Sequence, residues 1–425
     1  MAALNGEVRP FTITVSDAEL EDLRSRLRNT RYPTELEDAG NDHGAPLEAV
    51  RRIATHWGTA YDWRKAESSL NELPHFTTTL QADGFEPLQV HFVHKRSSRP
   101  DAVPLIFVHG WPGSFLEVTK LLGPLTEPED ASAQAFHVVA PSLLGYGFSE
   151  GSRKRGFGAD QHAETFHKLM LRLGYDEYAT QGGDWGFFIT RAMARRYAPA
   201  HVKAQHLNLD WFPRPSIGRN PLTLLKTAFA HATGTWSERD KKGLERSKWF
   251  QEEGSGYNQV QGTRPQTIGY ALADSPVALL AWIYEKLVDW TDAYPWTDDE
   301  VCTWVSIYWF STAGPRAAHQ LYYEAYHATK GPEYEDKKRR GLYVSSFDDI
   351  GAWIDVKLGF GHFPRDVIVL PKEWGRVMGR VVFEREHERG GHFAAWEVPD
   401  LLVRDLRDMF GVGGGAHGAV KTVSS

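Results

Sequence analysis

Cysteine is nearly absent from this 425-residue chain, which holds one, Cys302. A single thiol excludes an internal disulfide framework and any thiolate cluster for zinc, and makes a reducing, cytoplasmic setting the expectation. Excess positive charge is missing too. The formal net charge is −7 and the sequence pI about 6.2, so nothing draws the chain to nucleic acid or to an anionic membrane. Apolar runs are short: "PVALLAWIY" falls far below a membrane span, and "MAALNGEVRPFTITVSD" lacks the basic start and apolar stretch of a secretory signal. A soluble protein without a membrane anchor is expected. There is no internal repeat, phosphate-binding loop or dinucleotide fingerprint.

What is present supports one large core. With 41% hydrophobic residues, a chain of this length can bury a single oversized domain plus an elaboration rather than three small units. The 15 Trp, 16 Tyr and 22 Phe are read mostly as core volume. In the first hundred residues, "VSDAELEDLRSRL" carries a capping box of Ser16 and Glu19 ahead of Leu20, Leu23 and Leu27 at helical spacing. Two more amphipathic helices follow, then a hairpin turning near Asp83-Gly84. Residues 1–100 are therefore read as an N-terminal arm.

From residue 104 the rhythm changes to "PLIFVHG", "FHVVAPS", "EYATQGG" and "VKAQHLNLD", apolar strands separated by helices. This pattern predicts a mostly parallel sheet covered on both faces, an α/β class. Residues 101–210 form the first part of that core, and 211–345 a helical, aromatic lid. "WIDVKLGFG" and "RVVFEREHE" resume the core over 346–412. The glycine-rich 413–425 is expected to be a flexible tail.

The stretch "GGDWG" sets Gly182, Asp184 and Gly186 in the G-x-nucleophile-x-G arrangement, with a carboxylate in the usual place of serine. Asp184 is equally suited to cap the helix that follows. "VHGWPGSF" after the first core strand is where an α/β-hydrolase supplies one oxyanion-hole N–H, and the residue after the nucleophile supplies the other. Those residues are Trp111 and Trp185. "RGGHFAAWE" places His392 after the last strand, where the chain order of this fold expects the base. Asp366 in "GFGHFPRD" follows the penultimate strand as the acid, with Asp210 after "QHLNL" as its competitor.

Together, "HGWPGSF", "GGDWG", "SGYNQVQGTRPQTIGYALADSPVALLAWIYEK", "YWFSTAGPRAAHQLYYE", "GFGHFPRD" and "GGHFAAWEVP" resemble the microsomal-type epoxide hydrolases of the α/β-hydrolase fold. The arm segment "RPFTITVSDAELEDLRSRLRNTRYP" resembles that family's N-terminal segment, so the likeness spans nearly the whole chain. It implies Asp184 as nucleophile, His392 as base, Asp366 as acid, and two lid tyrosines, Tyr257 and Tyr322. Three departures stand out. No stretch of the sequence resembles the apolar N-terminal anchor of membrane-bound relatives, so membrane attachment is not expected; the acid is Asp where several relatives have Glu; and the spacing from Tyr308 to Tyr322 is one residue longer than in some, which makes Tyr323 a rival to Tyr322.

A carboxylate nucleophile fits epoxide opening. Serine would leave an ether that a His-activated water cannot hydrolyse, whereas aspartate leaves an ester. The implied reaction is epoxide plus water to a vicinal diol, with a lipophilic substrate suggested by Trp282, Trp290, Trp304 and Trp309 in the lid, some of which simply hold the lid together. Detoxification is the expected role, with biosynthesis as the alternative. No metal or organic cofactor is required, no nucleic-acid partner is expected, and a homodimer is compatible with the sequence. Two other readings are a haloalkane or haloacid dehalogenase using the same aspartate, and a catalytically silent binding protein.

Overall fold

The computed structural model describes residues 6–330, 334, 335, 339 and 347–422. The arm supplies β1 (Arg9–Pro10), α1 (Asp17–Arg28), α2 (Leu47–Thr59), α3 (Trp63–Leu70), β2 (His75–Gln81) and β3 (Pro87–Lys95). The core follows with β4 (Val103–Val108), α4 (Thr119–Thr126), β5 (Phe136–Pro141), α5 (Ala159–Arg172), β6 (Tyr178–Gly182), α6 (Asp184–Tyr197) and β7 (Val202–Leu207). Lid helices are α7 (Pro221–Thr233), α8 (Glu238–Trp249), α9 (Gly256–Thr263), α10 (Pro265–Asp274), α11 (Pro276–Asp289), α12 (Asp298–Trp309) and α13 (Gln320–His327). The chain returns to the core through β8 (Ile354–His362), β9 (Gly379–Glu386) and a closing helix, Pro399–Phe410.

The nine strands among the described residues share one sheet in the order β1-β2-β3-β5-β4-β6-β7-β8-β9. From β5 to β9 every neighbouring pair is parallel. Strands β4, β5 and β6 are buried along their whole length, which is why their sequences are largely apolar rather than alternating, with His137, Thr180 and Gln181 as buried polar exceptions. The expected hairpin forms from β2 and β3, but it is no separate unit: β3 runs antiparallel to β5, with Phe92 opposite Pro141 and His94 opposite Val139. The arm thus extends the core sheet at one edge.

The arm also braces the lid. Trp57 on α2 is buried and donates its Nε1–H to Ser306 Oγ on α12 at 3.0 Å. The Ser16 capping box forms as expected, and α1 buries Leu20, Leu23 and Leu27. The expected C-terminal boundary of the lid, near 345, lies outside the described residues. None of the described helices is long and apolar enough to cross a membrane.

The expectation of a flexible tail from Gly413 does not hold through residue 422. Ala416 and Val420 are buried, Ala416 N–H donates to Met409 O at 2.9 Å, and Lys421 N–H donates to Glu177 Oε2 at 3.1 Å. The glycines serve close approach: a Cβ on Gly415 would come within 2.3 Å of Val382 O on β9. Residues 423–425 lie outside the described residues.

Candidate active site

Asp184 stands at the junction of β6 and α6 with φ +47, a left-handed backbone that costs a non-glycine residue about 1 kcal/mol. Its neighbours must be small. A Cβ on Gly186 would lie 1.8 Å from Val108 O, and one on Gly182 2.4 Å from Gly186 O, so β6, the turn and β4 pack too closely for side chains there. The turn aims the carboxylate at the loop after β4, where Trp111 N–H donates to Asp184 Oδ1 at 2.7 Å. Trp185, the next residue of α6, is buried with its ring edge-on to Tyr322 at 4.8 Å.

The other two members come from the loops after β8 and β9. These loops are tied together by the Arg365–Gly391 bridge and by Arg365 N–H donating to Gly390 O at 3.1 Å. His392 Nδ1 lies 2.6 Å from Asp366 Oδ1, and its Nε2 is 3.4 Å from Asp184 Oδ2. A lid contact holds His392 as well: its N–H donates to Trp290 O at 2.8 Å, and a Cβ on Gly391 would come within 2.4 Å of that oxygen. Burial opposes charge on His392, but the carboxylates of Asp366 and Asp184 outweigh it and push the imidazole up to about 10. Burial raises the Asp366 carboxyl, with His392 pulling it the other way. The rival acid, Asp210, is engaged elsewhere: its Oδ1 lies 2.6 Å from His362 Nδ1, and Arg239 lies 3.5 Å from Oδ2.

Tyr257 on α9 and Tyr322 on α13 are both buried and face Asp184's side of the lid. Tyr257 stacks on Trp111 at 4.9 Å, Tyr322 stands edge-on to Trp111 at 5.8 Å, and the two phenol rings are 6.0 Å apart. Burial, with the nearby Asp184 charge adding to it, drives both phenols well above their usual 10, so they remain protonated donors. Tyr323 points away and stacks on His327 at 4.1 Å. Helices α9 and α13 meet at Gly262, where a Cβ would come within 2.7 Å of the Tyr326 ring.

Several supports of this site carry no sequence signature. Trp304 Nε1–H donates to Pro112 O and the Tyr308 hydroxyl to Gly113 O, each at 2.5 Å, so α12 grips the loop that presents Trp111. Trp290 and Trp304 are fully buried, so these two of the four lid tryptophans serve to hold the lid together. His109 fixes the same loop, with Nε2 accepting from Leu143 N–H at 3.1 Å. Among the described residues no group of three or more His, Cys, Asp or Glu side chains is placed to hold a metal ion.

Residues 8–118 match the family described as "Epoxide hydrolase N terminus", and residues 103–211 match "alpha/beta hydrolase fold". The chain is 35% identical over 436 residues to epoxide hydrolase 1 of Sus scrofa, covering 97% of this chain and 90% of that protein. It is similar to the solved epoxide hydrolase of Aspergillus niger, with TM-score 0.76, 34% identity, and 94% and 95% of the two chains covered. The juvenile hormone epoxide hydrolase of Bombyx mori superposes with TM-score 0.81 at 28% identity, covering 95% and 93%. On its sheet, its elbow and these relatives, the chain belongs to the microsomal-type epoxide hydrolases of the α/β-hydrolase fold.

Proposed function

We propose that this epoxide hydrolase converts a lipophilic epoxide to a vicinal diol through a covalent ester on Asp184. The observation that carries the reading is His392 held between two carboxylates, 2.6 Å from Asp366 and 3.4 Å from Asp184, beneath two buried phenols. Asp184 attacks a ring carbon from behind, the ring C–O bond breaks, and the opening oxygen takes a proton from Tyr257 or Tyr322. Such acid help is worth roughly 10² to 10⁴ in rate. Water then attacks Asp184 Cγ while His392 Nε2 takes its proton. The N–H groups of Trp111 and Trp185 stabilise the oxyanion.

Collapse breaks the bond from Cγ to the alkyl oxygen. That oxygen leaves as a hydroxyl with the proton from His392, and the proton on the regenerated carboxyl returns to the phenolate. A dehalogenase would need halide donors where the two phenols stand. The buried aromatic walls support a lipophilic substrate, and a single buried thiol, Cys302, supports a cytoplasmic setting. Detoxification and a homodimer remain part of the proposal.

His392→Gln separates the two halves. The folded variant, mixed with an epoxide that the wild type hydrolyses, should gain the mass of one epoxide on the peptide holding Asp184, and Asp184→Ala should gain none. Diol formation by His392→Gln without any adduct would remove His392 as the base.

A further inference from the structure

Asp184 borders a second, much smaller space. A cavity of about 10 Å³ is lined by Gly110, Glu117, Gln181, Asp184, Asn208 and His392, together with apolar core side chains, and neither lid tyrosine is among its walls. That volume suits one water molecule. The cavity therefore offers an approach to Asp184 separate from the one the phenols face.

Its walls are polar where a water would need them. Gln181 is buried, donates its amide to Asn208 Oδ1 at 2.6 Å, and leaves Oε1 with no hydrogen-bond partner among the described residues. Glu117 folds back against its own loop, so that a Cβ on Gly113 would come within 1.6 Å of Glu117 Oε1. It keeps some accessible surface, yet burial pushes its carboxyl up to about 8, with His392 pulling the other way and Asp184 reinforcing the rise. A mostly neutral carboxyl next to Asp184 still accepts a hydrogen bond through its carbonyl oxygen, without competing as a second anion.

We propose that Glu117 is a positioning residue for the second half-reaction: its carboxyl accepts a hydrogen from the water that attacks the Asp184 ester, aligning it for His392. The water oxygen bonds to Asp184 Cγ, one of its protons passes to His392 Nε2, and the other is the one Glu117 holds. The inference rests on the ester mechanism proposed above, and assigns to it a residue that acts on water and not on the epoxide.

The test is single-turnover kinetics on wild type, Glu117→Leu and Glu117→Gln. The probe is an epoxide that the wild type turns over, taken from styrene oxide, cyclohexene oxide and an epoxidised fatty ester. Ester formation and ester loss are read separately by quenched-flow intact mass. In Glu117→Leu, ester loss should slow by roughly tenfold to a hundredfold, the scale of a misplaced reactant, while ester formation changes by less than about threefold, so ester accumulates. Glu117→Gln should recover part of the hydrolysis rate, because its amide oxygen still accepts. Equal slowing of both steps would mean a structural role, and unchanged ester loss in Glu117→Leu would also overturn the proposal. In both cases ester still forms and the parent mechanism stands. If neither wild type nor His392→Gln ever forms ester on Asp184, the parent mechanism fails, and this inference fails with it.

Discussion

His392 faces two carboxylates, and in the proposed mechanism only one of them survives the first half-reaction as an anion. In the free enzyme Asp366 and Asp184 overcome burial and push the imidazole up to about 10, so it is cationic near neutral pH. A base must be neutral. Esterification of Asp184 removes one of the two negative neighbours, which destabilises the imidazolium and lowers its pKa toward the range where it accepts a proton. Asp184→Asn mimics that loss of charge. An NMR titration of the His392 ring should therefore give a lower midpoint in Asp184→Asn than in wild type, by roughly a unit or more, each unit being about 1.4 kcal/mol. Ester hydrolysis should accordingly rise with pH through that lower midpoint. An unchanged or higher midpoint in the variant would show that Asp184 does not hold the charge on His392. At this scale the sequence was informative where chemistry and backbone constrain the same position: Asp184 between glycines, His392 after a glycine pair. It was silent on Glu117, because an acidic residue in "GSFLEV" looks like any first-turn helix residue.

One helix-to-loop contact and one packed helix pair hold the site around Asp184. Helix α12 grips the loop of Trp111 through Trp304 and Tyr308, and α9 meets α13 at Gly262, which sets Tyr257 against Tyr322. Gly262→Ala would bring a methyl within 2.7 Å of the Tyr326 ring and push the helices apart. The expected cost is about 1–3 kcal/mol in stability, typical of overpacking. In the proposed mechanism the phenols donate in the first step and only recover a proton after the second, so epoxide opening should slow more than ester hydrolysis. Thermal melts and single-turnover rates would check this, and equal slowing of both steps would argue against a role for α9–α13 spacing in acid catalysis. The helices themselves were legible from caps and apolar spacing, as with Ser16 and Glu19 on α1. Their mutual contacts were not, because a tryptophan that bonds a distant carbonyl has the same local pattern as one that only fills space.

Across the molecule, a single sheet runs from the arm to the last strand, and the lid is clamped between arm and core. The alternation of apolar strands and helices made the parallel part readable. The joining of the arm hairpin to β5 was not, because its strands pair with residues far along the chain and carry no mark of their edge position. The tail misled for a related reason: glycine permits both flexibility and close approach, and only the position of β9 decides between them. This frame brings Asp184, His392, Tyr257 and Tyr322 together, and the chemistry proposed for them passes through an ester on Asp184. One turnover with enzyme in excess over epoxide, in ¹⁸O-labelled water, tests that step directly. The diol should emerge unlabelled, with the heavy oxygen in the Asp184 carboxylate. Label entering the diol on the first turnover, with none on Asp184, would mean that water opens the epoxide itself and that no aspartyl ester forms.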